Sequence, residues 1–115
     1  MTKDSAILLD IVKAGRLIKE FLGEANEKGF SRGIRTQSAV IHQLLIIGEA
    51  TKRLSHEFRE QHDEIPWPLM AGMRDVLIHA YESVDLEEVW KTATKDVPDI
   101  IAKPEPLLPS QENRQ

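Results

Sequence analysis

The stretch Val40-Ile41-His42-Gln43-Leu44-Leu45-Ile46-Ile47-Gly48 decides how this chain is read. Wound as a helix, its middle is apolar almost all the way round. Such a segment is usually central in a bundle or shared with a partner chain. The helix that contains it runs from about Thr36 to His62. Gly48 costs about 1 kcal/mol relative to alanine inside a helix, so it is either a point of close helix approach or a tolerated defect. Beyond Ala50 the segment becomes strongly charged and turns to solvent.

Helical spacing continues on both sides. Upstream, Ile7, Leu8, Ile11, Ala14, Leu17, Ile18, Phe21 and Leu22 form one stripe on a helix read from Asp4 to Lys28, capped by Asp4 or Ser5. Gly29 and Gly33 flank a basic loop that ends it. Downstream, a third helix starts at Ile65-Pro66-Trp67-Pro68, because first-turn amides lack intrahelical acceptors and tolerate proline. It passes through Met70, Met73, Val76, Leu77 and Ala80 to about Tyr81. A fourth begins after Val84, where Asp85 and Glu88 make a capping-box pattern, and Leu86, Val89, Trp90, Ala93 and Val97 form its apolar face. Pro98 is expected to kink or interrupt it. With no strand alternation, internal repeat or glycine-rich phosphate loop, the expected architecture is all-α. It is an up-and-down, antiparallel bundle of four main helices over residues 1–102, followed by a disordered tail at 103–115 that carries Pro104, Pro106 and Pro109.

A chain of 115 residues makes one domain with one core. The absence of cysteine excludes disulfides, thiolate nucleophiles and cysteine metal sites. No signal-peptide pattern follows Met1, and no apolar run approaches a membrane span, so a soluble cytoplasmic protein is expected. The formal charge of −4 argues against a general nucleic-acid binder. The average conceals an asymmetry. Residues 28–59 hold six basic side chains (Lys28, Arg32, Arg35, Lys52, Arg53, Arg59) against Glu49 and Glu57, a surplus of four positive charges that leaves −8 on the remainder. This is either an ordinary solvated face with a basic loop or a surface that steers phosphate.

The third helix carries the chemistry. Met73-Arg74-Asp75-Val76-Leu77-Ile78-His79-Ala80-Tyr81 puts polar groups into an otherwise apolar run, where they cost free energy unless paired or used. Asp75 and His79 are four apart and share a face; a carboxylate there fixes the imidazole tautomer and favours the imidazolium. Arg74 and Tyr81, seven apart, also share a face. Arg74 and His79 are about 140° apart around the helix, so one helix does not converge them well. Two copies meeting at a dimer axis could build one shared cleft. Without a metal, such a pair could cleave an RNA phosphodiester: histidine moves protons, and arginine grips the phosphate and stabilises its developing charge. The plain alternative is a surface Asp–His pair beside an arginine in a structural ion pair.

The chain resembles the HepT-like branch of the HEPN superfamily, from Ile7 to about Ile101. The landmarks are Arg35-Thr36-Gln37-Ser38-Ala39-Val40, Ile46-Ile47-Gly48-Glu49-Ala50-Thr51-Lys52-Arg53-Leu54, Ile65-Pro66-Trp67, Gly72-Met73-Arg74-Asp75, Ile78-His79-Ala80-Tyr81 and Val84-Asp85-Leu86-Glu87-Glu88-Val89-Trp90. The resemblance implies a four- or five-helix HEPN bundle that forms a homodimer, with the Arg-x4-His motif lining a cleft between protomers. Arg74 and His79 would then be the catalytic pair of a metal-independent endoribonuclease, with no cofactor. Asp75 stands where family members often have Asn. Tyr81 matches the tyrosine to which a cognate minimal nucleotidyltransferase of the MntA type, acting as antitoxin in a type VII-style toxin–antitoxin pair, transfers AMP. Phosphate charge and an adenosine beside the Arg–His cleft would block RNA. Without the resemblance, Tyr81 reads as a helix-end aromatic with a wet hydroxyl.

Glu49 follows the apolar run and either pairs with Arg74, or with the motif of a partner chain, or is a plain surface carboxylate. His42, His56 and His62 do not have metal-ligand spacing, and no metal site is expected. Trp67 and Trp90 read as core anchors and Met70 with Met73 as core or dimer packing. Two functions remain in view: the ribonuclease toxin, and a catalytically silent HEPN binding module that is a partner or substrate of a nucleotidyltransferase.

Overall fold

The computed structural model describes residues 2–83 and 85–109, and the backbone alone of Val76 and residues 78–83. The helices are α1 (Lys3–Leu22), α2 (Glu27–Arg32), α3 (Ile34–Arg53), α4 (His56–Gln61), α5 (Trp67–Ser83), α6 (Leu86–Lys91) and α7 (Val97–Ala102). A π-helical turn at Thr92–Asp96 joins α6 to α7, and a 3-10 turn follows at Glu105–Leu107. No strand occurs among the described residues, so the all-α expectation holds.

Helix α3 is the hub, as its nearly all-round apolar middle requires. Val40, Leu44, Ile47 and Ala50 are buried, with α1 packed on one side and α5 on the other. Facing them are Leu8, Ile11 and Ile18 from α1, Met70, Met73 and Leu77 from α5, and Val89, Val97 and Ile100 from the last limb. The limbs are antiparallel. Asp4 meets Ser55 just beyond α3, Gly48 meets Arg74 midway along α5, and Gly15 meets Val97 and Ile101 on α7. The stripe on α1 is narrower than its sequence suggested. Leu17 and Phe21 are 37% and 38% exposed, while Val12 is fully buried.

Two expected long helices are each broken in two. The first ends at Leu22 rather than Lys28. Gly23 adopts φ +51°, a left-handed conformation that only glycine takes cheaply, and its N–H caps Lys19 O at 3.1 Å. The segment expected as a basic loop is α2, capped by Asn26 Oδ1 accepting from Gly29 N at 2.8 Å. The N-cap of α1 is Thr2, whose hydroxyl accepts from Ser5 N. Asp4, one of the two expected caps, serves elsewhere: its carboxylate accepts from Ser55 N at 2.9 Å and Ser55 Oγ at 2.7 Å.

The second expected helix stops at Arg53. Leu54 turns extended (φ −63°, ψ 142°) to bury its side chain, and Ser55 caps the separate α4 through Phe58 N. Helix α5 begins where the Pro-Trp-Pro sequence placed it, with Met70 N donating to Pro66 O. Asp85 caps α6 by accepting from Glu88 N at 3.1 Å. The interruption expected from Pro98 takes the form of the π turn, in which Val97 N donates five residues back to Thr92 O. Proline offers no N–H of its own to continue an α ladder, and a widened turn accommodates that.

Of the expected disordered tail at 103–115, residues 103–109 are packed and residues 110–115 lie outside the described residues. Pro104 is buried, Leu107 and Leu108 pack on the core, and Arg16 pairs with Glu105. Apolar side chains within reach of α1 repay the ordering of this segment through Pro109, where composition alone suggested too little to bury. No helix among the described residues is long and apolar enough to cross a membrane.

Candidate functional site at the crossing of α3 and α5

Arg74 lies on α5 opposite Gly48 of α3. A Cβ at Gly48 would stand 2.9 Å from Arg74 N and 3.2 Å from Arg74 Cβ. Gly48 is therefore a point of close helix approach: the missing side chain brings the two backbones together at Arg74. The next residue, Glu49, points out of the same crossing, and its Oε1 lies 2.8 Å from Arg74 Nε. The two side chains are 46% and 49% exposed, so the pair sits at the surface of the protomer. Of the readings open for Glu49, the one observed is pairing with Arg74 of its own chain.

This pair is a modest contributor to stability. Exposed ion pairs are worth ~0–1 kcal/mol. What it supplies is geometry. Glu49 engages the guanidinium at its inner nitrogen, and a guanidinium has a second donor edge, Nη1 with Nη2, able to grip a phosphate bidentately.

Asp75 is exposed on the next position of α5. His79 and Tyr81 lie on the same continuous helix, which runs to Ser83; their side chains are outside the described residues, and so are the expected Asp75–His79 contact and the surroundings of the Tyr81 hydroxyl. Because α5 is helical throughout, Arg74 and His79 are separated by five helical positions, about 140° of rotation.

The basic surplus at residues 28–59 splits in space. Lys28, Arg32 and Arg35 gather at the start of α3; Lys52 and Arg53 lie in its last turn, where cations complement the helix dipole. The two groups stand at opposite ends of a helix of about 30 Å. The Lys52–Arg53 group is near the Glu49–Arg74 pair. Arg59 is half-buried on α4, and its Nε is buried without a hydrogen-bond partner among the described residues.

The remaining candidates resolve into structure. Trp67 is 4% exposed, and its indole N–H is shared between Arg59 O at 3.2 Å and His62 O at 2.9 Å. Met70 and Met73 are core residues. Trp90 is half-buried against Phe30, ring centroids 5.4 Å apart. His56 pairs with Glu60 at 2.8 Å, and His62 packs on Phe58. An apolar groove of about 290 Å³ opens between α1 and the π turn, lined by Leu22, Trp90, Val97, Pro98 and Ile101 among others. Lys19 is its only charged lining residue among the described residues, so the groove offers little for phosphate chemistry. The exposed Glu49–Arg74 pair offers a cation to a phosphate, and this groove does not. The residue that sequence reasoning left undecided is Gly48, whose signal was a glycine inside an apolar helix immediately before a carboxylate.

The HepT-like ribonuclease family matches residues 11–107. The "Probable ribonuclease HepT" of Thermococcus cleftensis is 48% identical over 100 residues, covering 87% of this chain and 91% of that protein. A Methanocaldococcus jannaschii protein named as a gamma-glutamylcyclotransferase and, provisionally, an RNase is 43% identical over 101 residues. That is 87% of this chain but 46% of the relative. Another provisionally named RNase of the same organism is 36% identical over 109 residues, 95% of this chain and 94% of its own length. No solved structure matches the chain. With a match across nearly all of the described bundle, and with relatives that share most of their length with it, this chain belongs to the HepT-like ribonuclease family.

Proposed function

We propose that the chain is a metal-independent endoribonuclease toxin that works as a homodimer, with Arg74 and His79 of the Arg-x4-His motif as the catalytic pair. The observation that carries this reading is the exposed guanidinium of Arg74, held by Glu49 at the α3–α5 crossing and placed on the same helix as His79. Arg74 grips the scissile phosphate and stabilises the charge that develops on it. His79 moves the proton of the attacking 2′-hydroxyl or of the leaving 5′-oxygen, a role worth roughly 10²–10⁴-fold. Asp75, one residue after Arg74, supports the motif. The rotation between Arg74 and His79 favours a cleft completed by a second protomer.

Regulation follows from Tyr81, two residues beyond His79. A cognate minimal nucleotidyltransferase, acting as antitoxin, transfers AMP to its hydroxyl. The added phosphate and adenosine occupy the site of the RNA backbone. The likeness of the chain to proteins named ribonuclease HepT and RNase supports RNA as substrate.

The test is cleavage of end-labelled tRNA and mRNA in EDTA by the parent, Arg74→Ala and His79→Ala, each checked for dimer by light scattering. Cleavage by the parent alone, leaving 2′,3′-cyclic phosphate ends, is expected. Equal cleavage by His79→Ala would remove the assignment. Tyr81→Phe is expected to resist modification by the nucleotidyltransferase with ATP, read by intact mass.

A further inference from the structure

We infer that Glu49 is a positioning residue for Arg74, acting in the ribonuclease site proposed above. A carboxylate is a poor neighbour for a phosphodiester, since like charges raise the cost of bringing RNA in. Its presence there calls for a compensating role, and the geometry supplies one. Glu49 Oε1 lies 2.8 Å from Arg74 Nε. A carboxylate at Nε takes the guanidinium edge that includes the inner nitrogen and leaves the Nη1–Nη2 edge, the fork that matches two phosphate oxygens.

Both partners are fixed at their bases. Gly48 brings the backbone of α3 against the Arg74 backbone of α5. Thr51, two residues beyond Glu49, is fully buried, and its hydroxyl is bonded to Ile47 O at 2.8 Å. The arginine stem is therefore held by close backbone contact and its head by Glu49, so a long, flexible side chain reaches the phosphate with its rotamers already selected. The Gly48-Glu49 pair of α3 is part of the catalytic apparatus, although neither residue reacts.

The reading makes a split prediction. Glu49→Gln keeps an oxygen that can accept from Nε and removes the negative charge. Its kcat should fall while its KM stays level or falls, because RNA no longer meets a repelling carboxylate. Glu49→Ala removes both anchor and charge, and its kcat should drop roughly 10- to 100-fold, by analogy with the loss when the partner that orients a metal-ligating side chain is removed. A residue that only stabilised the fold would not lower kcat in the isosteric glutamine variant while sparing KM.

The experiment measures kcat and KM on a short RNA for parent, Glu49→Gln and Glu49→Ala, with circular dichroism and light scattering on each. A second readout does not depend on catalysis: the Nε–Hε signal of Arg74 in a ¹⁵N-correlated NMR spectrum, assigned with Arg74→Lys. Slow solvent exchange of that signal in the parent, lost in Glu49→Ala, is the expected result. Parent-like kcat in Glu49→Ala, a loss confined to KM, or a faster alanine variant would overturn the assignment, the last by making Glu49 a latch. If the parent itself does not cleave RNA, the ribonuclease reading fails, and the NMR signal alone reports whether Glu49 holds Arg74. Unchanged exchange in Glu49→Ala overturns the positioning role outright.

Discussion

Among the glycines inside helices, Gly48 and Gly72 meet opposite surroundings, which makes them a matched pair. A Cβ at Gly48 would stand 2.9 Å from Arg74 N and 3.4 Å from Arg74 Cα, whereas a Cβ at Gly72 would meet nothing within 4 Å among the described residues. Replacing either by alanine removes the same helix penalty, about 1 kcal/mol. At Gly72 none of the described residues opposes that gain, so Gly72→Ala should stabilise the protein by roughly 0.5–1 kcal/mol. At Gly48 the new methyl collides with backbone, which cannot swing aside as a side-chain tip can. Carbon contacts are comfortable at about 3.5–4.0 Å, so α5 has to retreat by roughly half an ångström or more. Overpacking of this kind costs about 1–3 kcal/mol, and the net effect of Gly48→Ala is a loss of roughly 0–2 kcal/mol.

The quantity to measure is the difference between the two variants. It cancels the propensity gain and isolates the steric cost, an expected 1–3 kcal/mol or so in favour of Gly72→Ala. Urea unfolding followed by circular dichroism gives it directly, at equal protomer concentration so that any association affects all variants alike. In the same samples, Gly48→Ala should lower RNA cleavage by displacing Arg74. If Gly48→Ala is as stable as Gly72→Ala, the close approach is not a constraint, and the argument that α3 seats Arg74 fails with it.

Four further substitutions test the helix ends and the contacts that hold them. Ser55→Ala removes the α4 cap and one of the two bonds to Asp4, and should cost roughly 1–2 kcal/mol in urea unfolding; Asp4→Ala measured alongside should recover part of the same loss, and full additivity of the two would argue that they do not communicate. Gly23→Ala forces a side chain into φ +51° and should destabilise by about 1 kcal/mol or more, the opposite sign from Gly72→Ala. Trp67→Phe keeps the buried ring but deprives Arg59 O and His62 O of their indole donor, at a cost of roughly 1–3 kcal/mol; an unchanged unfolding midpoint would mean that water replaces the donor.

Much of the fold was legible because it follows from local rules. The apolar middle of α3, the periodic faces of α1 and α6, the proline-tolerant start of α5 and the Asp85 cap depend on residues three or four apart. These are distances over which the chain instructs itself. The boundaries that were misread lie where two local rules compete. Leu22-Gly23 was passed over because Gly29 and Gly33 supplied the stop signal, and the left-handed glycine that ends α1 leaves no periodic trace. Leu54 continued an apparently helical run, yet burial of its side chain and the Asp4–Ser55 bonds draw it into an extended turn, and Asp4 is fifty-one residues away. The packed segment through Pro109 was invisible for the same reason: its partners, Arg16 and the core beneath α1, come from the opposite end of the chain.

The site divides along the same line. By itself the sequence determined an all-α chain with one core, the presence of Arg74, Asp75, His79 and Tyr81 along one helix, and the rotation that keeps arginine and histidine apart, since all of these follow from the period of a single helix. Only the tertiary structure decided that Gly48 is a contact rather than a tolerated defect, and that Glu49 pairs with Arg74 of its own chain. Residues 48, 49 and 74 meet through the antiparallel register of α3 against α5, a three-dimensional fit on which the periodicity of either helix is silent.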